Sequence, residues 1–150
     1  MAYQDMLRVA RYPRWASIAA LTVLIGAAVQ GSVADTPENA AETCARTWLG
    51  LIDSGEYAKS WDASAKYFRN SVPQSQWVSR ISAVRSPLGS VKSRRLTSAH
   101  FERSLPGAPD GEYVIIQFST SFEHRAEATE TLTPMKDPDG QWRVSGYFIR

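Results

Sequence analysis

Cysteine is almost missing from this chain of 150 residues, where Cys44 stands alone. One thiol cannot form an internal disulfide, so the fold must be held by packing. Histidine is nearly as scarce. His100 and His124 have no carboxylate or cysteine at metal-ligand spacing, which argues against a metal centre. No glycine-rich loop is present to cradle a phosphate, and no serine stands in a nucleophile-elbow sequence. No cofactor is therefore expected. Internal repeats and low-complexity tracts are absent too. The main apolar stretch, Trp15 to Val29, is fifteen residues long. A membrane-spanning helix needs roughly 20, so no stable membrane span is expected.

The N-terminus instead reads as a targeting segment. Arg8, Arg11 and Arg14 precede the apolar stretch, and Ser32-Val33-Ala34 offers small residues where a signal peptidase reads. This predicts a signal peptide over 1–34, cut after Ala34, and a periplasmic or secreted protein. The alternative is an uncleaved anchor. A lipoprotein is disfavoured, because no small-residue lipobox precedes Cys44. Residues 35–150 are enough for one small domain with a core and too few for two. Removing the segment takes away three bases and one acid, leaving 14 of each sign. The basic balance of the full chain thus belongs to its first residues, and nucleic acid is not an expected partner.

The domain is organised around E-Y-V-I-I-Q-F-S-T-S-F, Glu112 to Phe122. Aromatic and β-branched residues dominate it, which predicts a central strand. Val114, Ile116, Phe118, Thr120 and Phe122 share the more apolar face and should meet the helices. Before it, Ala41, Cys44, Trp48, Leu51 and Ile52 recur at helical spacing in a helix from Pro37 to about Ser54, with Thr36 as cap. A second helix is predicted from Glu56 to about Phe68. A third begins at Ser71-Val72-Pro73 with a serine cap, buries Trp77, Ile81 and Val84, and ends near Arg85. Strands follow over Val91 to Arg103, Glu112 to Phe122, Glu127 to Met135 and Gln141 to Ile149. The last should place Trp142, Val144, Gly146 and Phe148 on one face. Three helices followed by four sequential strands predict an α+β domain, the helices packed on one face of a curved antiparallel sheet.

Several pieces of this pattern resemble a family of short exported bacterial proteins known as domain of unknown function 4019. They are W-L-G-L-I-D-S-G-E-Y (Trp48 to Tyr57), Ser60-Trp61, Trp77, R-S-P-L-G (Arg85 to Gly89), S-R-R-L (Ser93 to Leu96), L-P-G-A-P-D-G-E-Y (Leu105 to Tyr113), Glu130 and D-G-Q-W-R-V-S-G-Y-F-I (Asp139 to Ile149). The resemblance implies an exported domain and no particular activity. The order of elements also resembles nuclear-transport-factor-2-like cones, including the SnoaL-type cyclases and ketosteroid isomerases. That likeness is architectural and implies a concavity between sheet and helices.

In such a concavity Trp61, Trp77, Tyr113, Phe118, Trp142 and Tyr147 are candidate walls, with Arg94, Gln117 and Glu130 as polar points. An aromatic cavity with few polar groups suits a small molecule, and the same residues also suit a filled core. Residues 63–103 carry eight bases against one acid. Arg85, Arg94 and Arg95 bracket the link from the third helix to the first strand. They would either converge on an anionic ligand or pair inside the fold with Asp53, Asp62 or Glu130. Three functions follow. The favoured one is a non-enzymatic domain binding a small ligand or an envelope protein. The second is a small isomerase or hydratase with Glu130 as base and Tyr113 or Tyr147 as donor. The third is a homodimer formed through the sheet face.

Overall fold

The computed structural model describes residues 35–150. The signal-peptide reading concerns residues outside that range. Helix α1 (Pro37–Asp53) begins as the sequence dictates. Thr36 is extended, its hydroxyl accepts from the Asn39 amide at 3.3 Å, and Pro37 takes the first turn. Its buried stripe is Ala41, Ala45, Trp48, Leu49 and Ile52. Gly55, at φ +73°, turns the chain out of it.

The expected second helix is two short ones, α2 (Tyr57–Asp62) and α3 (Lys66–Ser71). The break has a hydrogen-bonding cause. The Ala65 amide donates to the Val144 carbonyl at 2.9 Å, across to the sheet. The Ser64 hydroxyl donates to the Ser60 carbonyl and accepts from the Trp48 indole. These partners replace the helical ladder at the join. Ser71 closes α3, its hydroxyl donating to the Tyr67 carbonyl, so it does not cap the next helix. Helix α4 (Gln74–Arg85) starts after Pro73 without a side-chain cap. Its buried positions are Trp77, Ile81 and Arg85, a strict four-residue spacing. Val84 lies off that line and is 48% exposed, contrary to expectation. A 3-10 turn (Ser86–Leu88) follows and ends at Gly89.

The strands are β1 (Val91–Glu102), β2 (Tyr113–Phe122), β3 (Arg125–Lys136) and β4 (Trp142–Ile149). They form one antiparallel sheet in the order β1-β2-β3-β4, so the domain is α+β with its helices N-terminal to the sheet. β2 is central and alternates as predicted. Val114, Ile116, Phe118, Thr120 and Phe122 are all buried, and the first three of them join the core with α1 and α4. Tyr113 is also buried, in a smaller cluster with Ala65 and Met135 that Leu105 and Ala108 help to cover.

β4 departs from simple alternation. Between Leu132↔Tyr147 and Pro134↔Val144 the pairing advances two residues on β3 and three on β4. The extra residue is a bulge at Ser145-Gly146, opposite Thr133 and next to Pro134, which offers no amide to the ladder. Parity therefore switches. Tyr147 joins the face of Val144 and meets Trp48 edge-on at 5.3 Å between ring centroids. Phe148 is left 45% exposed, contrary to the expected face.

Candidate functional site

Glu130, in the middle of β3, has no solvent exposure. The helix-facing side of the sheet carries Thr120 beside it on β2 and Tyr147 near it on β4. The Tyr147 hydroxyl donates to Oε1 at 2.6 Å, and the Thr120 hydroxyl donates to Oε2 at 2.5 Å. Arg94, from β1, supplies Nε to Oε2 at 2.6 Å and Nη2 to Oε1 at 3.2 Å. Each carboxylate oxygen thus accepts two hydrogen bonds.

The same guanidinium holds a second carboxylate. Nη1 and Nη2 of Arg94 donate to Asp53, at the C-terminal end of α1, at 2.7 and 3.0 Å. Asp53 also accepts from Nη2 of Arg85 at 2.9 Å. Two cations and two anions therefore form a closed, neutral chain from α4 through α1 and β1 to β3. Burial opposes the charge on Arg94, but its hydrogen bonds to Asp53 and Glu130 outweigh that and hold its pKa above the usual arginine value. Burial, then the charge of Glu130, raises the Tyr147 hydroxyl, which stays a donor at any ordinary pH. The Arg85 guanidinium lies over the Phe122 ring at 4.5 Å, and its Nε and Nη1 have no hydrogen-bond partner among the described residues.

Of the residues predicted to line one cavity, the structure brings Arg85, Arg94, Glu130 and Tyr147 together. Trp77 and Phe118 pack beside them in the helix–sheet core, and several of the others are engaged elsewhere. Gln117 is exposed on the outer face, where the Thr97 and Ser98 hydroxyls bond to it. Tyr113 donates to the Pro109 carbonyl at 2.5 Å, beneath the turn before β2. Trp61 is spent on the Val72 carbonyl at 2.7 Å. Asp62, offered as an arginine partner, accepts instead from the side chain of Gln74. Between Trp48, Phe68, Trp77 and Tyr147 the interatomic space is about 130 Å³, none of it wide enough for a water molecule. The helix–sheet interior is filled there.

Open space lies elsewhere, in grooves at the surface. One groove, of about 440 Å³, runs along α1 past Thr43, Cys44, Thr47 and Trp142. Cys44 is satisfied there, its thiol donating to the Trp142 carbonyl at 3.1 Å. Burial pushes that thiol up to about 11 from 9.0. At pH 8 the folded protein should react with iodoacetamide roughly 100-fold more slowly than the urea-unfolded chain. Equal rates would show that the thiol is open.

The second groove, of about 350 Å³, lies between α4 and the end of β4. Phe68, Val72, Trp77, Ile81 and Val84 line it together with Tyr147, Phe148 and Ile149, and Arg80 is its charged lining residue. Sequence reasoning missed this groove because it buried Val84 and set Phe148 on one face with Trp142, Val144 and Gly146. The buried hydroxyls of Ser60, Ser64 and Thr120 were missed as well. Thr120 alone was signalled, by its place among the apolar residues of β2.

Among the described residues no cluster of histidine, cysteine and carboxylates is arranged to hold a metal ion, and no helix is long and apolar enough to cross a membrane. A family model described as Protein of unknown function (DUF4019) matches residues 44–147, a span that contains the whole Asp53–Arg94–Glu130–Tyr147 cluster. No curated protein matches the chain.

Proposed function

Since the chain belongs to the DUF4019 family, whose description names no activity, we propose from its geometry that it is a binding domain rather than an enzyme, taking its ligand in the α4–β4 groove. The observation that carries this is the saturation of Glu130. A general base needs a free lone pair within reach of substrate. Glu130 has four donors on two oxygens and no exposure. Its donors come from β1, β2 and β4, so it ties the strands to one another and offers a substrate no free lone pair, which disfavours the isomerase reading.

The groove has the opposite character. Val84 and Phe148, two of the large hydrophobic residues left exposed, both border it. Exposed apolar residues that border one groove mark contact surfaces more often than scattered ones do. The natural ligand is an apolar small molecule or an apolar segment of another protein. By its N-terminal sequence we place the domain in the periplasm or outside the cell.

An apolar fluorescent dye tests the reading. It should bind the native protein saturably, and Val84→Glu should weaken it on the order of tenfold by setting a charge in the groove. Val84 is half exposed, so the variant should fold. Dye affinity unchanged by the substitution would overturn the assignment of the groove.

A further inference from the structure

The second half of β4 is an open sheet edge beside that groove. Arg150 and Thr129 exchange both amide–carbonyl hydrogen bonds, at 2.9 and 3.0 Å. Antiparallel pairs alternate, so Phe148 also faces its partner Thr131, while Tyr147 and Ile149 turn their amides and carbonyls outward. The first half of β4 is covered. There the Val144 carbonyl accepts from the Ala65 amide, and the Trp142 carbonyl accepts from the Cys44 thiol. No described residue performs that service for Tyr147 or Ile149. An uncovered edge of this kind is a template for another strand.

We infer that the α4–β4 groove accepts an extended segment of another polypeptide by strand addition to Tyr147–Ile149, the segment carrying apolar residues at alternate positions and a carboxylate at its flank. This rests on the groove being the binding surface and adds the backbone register and the charge. Main-chain bonds to the outward groups of Tyr147 and Ile149 would fix the segment. Alternate side chains would then drop against Trp77, Ile81 and Val84, as in other edge-docked peptides.

Charge selects the occupant. Arg80 lines the groove, Arg150 lies over the Phe148 ring at 5.2 Å, and among the described residues no carboxylate lines it. A second copy of the chain would bring the same cations to the same edge. The chain's own apolar N-terminal stretch is preceded by Arg8, Arg11 and Arg14, again of like sign. A foreign segment with an acidic flank meets no such repulsion.

Two synthetic peptides, offered to the protein expressed from its full coding sequence, test this. The first alternates valine and threonine over seven residues and ends in glutamate. The second is identical but N-methylated at alternate amides. The first should bind and slow hydrogen exchange at the Tyr147 and Ile149 amides, leaving Phe148 unchanged because it is already bonded. The second should bind at least roughly tenfold more weakly, and exchanging glutamate for lysine in the first should weaken it severalfold. Equal affinity of the two peptides, with both lost in Val84→Glu, would overturn strand addition and leave the groove reading standing. Failure of both peptides while the dye still binds and depends on Val84 would do the same. Binding that protects neither Tyr147 nor Ile149 would also overturn it.

Discussion

Glu130→Ala should cost the domain about 3–5 kcal/mol of stability, the loss typical when one partner of a buried ion pair is removed. The substitution strips Arg94, whose side chain is only 13% exposed, of its buried partner. Asp53 remains, but it sits nearer solvent, with its side chain 28% exposed, and offsets only part of the charge. The hydroxyls of Tyr147 and Thr120 lose their acceptor at the same time. For a domain of this size the melting temperature should fall by roughly 10–20 °C.

Urea titration measures the loss directly, and the controls separate charge from shape. Glu130→Gln keeps the volume and one acceptor, so it should lose less than Glu130→Ala. Replacing Glu130 by Leu and Arg94 by Met together removes both charges and should recover much of the deficit, because the desolvation of two ions vanishes with their attraction. A loss below about 1 kcal/mol for Glu130→Ala would mean that water reaches Arg94, and would reopen a chemical role for Glu130.

Trp48→Ala should be comparably damaging, at about 3–5 kcal/mol. Trp48 is 3% exposed and packs against Trp77, with ring centroids 5.8 Å apart, and against Tyr147. Its indole also organises the join between α2 and α3, donating to the Ser60 carbonyl at 2.8 Å and to the Ser64 hydroxyl at 3.0 Å. The Ser60 hydroxyl in turn accepts from the Trp77 indole at 3.0 Å. One buried serine therefore links two tryptophans from different helices. Ser60→Ala should cost about 1–3 kcal/mol by leaving the Trp77 indole unpaired, although it removes a single oxygen. Calorimetry on the two variants checks both values. A Trp48→Ala loss under about 2 kcal/mol would mean that the core collapses to fill the space.

What the sequence made legible follows from periodicity. Thr36-Pro37 marked the start of α1, and the alternation of β2 named its buried face residue by residue. The pairing of Arg85 and Arg94 with Asp53 and Glu130 was one of two alternatives open at that level, since an evenly charged domain holds the acids to satisfy its bases. Events that change the period were not legible. The bulge at Ser145-Gly146 moves Tyr147 inward and Phe148 outward, and no residue there announces it except a glycine that also fits an ordinary strand. The break between α2 and α3 depends on Val144, 79 residues away in the chain, so no local window contains its cause. Val84 was misassigned because valine suits a core, whereas the core took Arg85 instead: its charge is met by Asp53 and its flat face by Phe122.

The strand order has a consequence for how the chain finds its fold. Every strand pairs with its neighbour in sequence, so each hairpin closes a short loop, and loop entropy opposes the sheet only weakly. The long closures join helices to sheet, through Ala65 with Val144, Cys44 with Trp142, and the ion chain. Arg94 reaches back 41 residues to Asp53 and forward 36 to Glu130. The sheet can therefore zip as a local meander, while the docking of α1 is the late, non-local event that the Arg94 guanidinium latches.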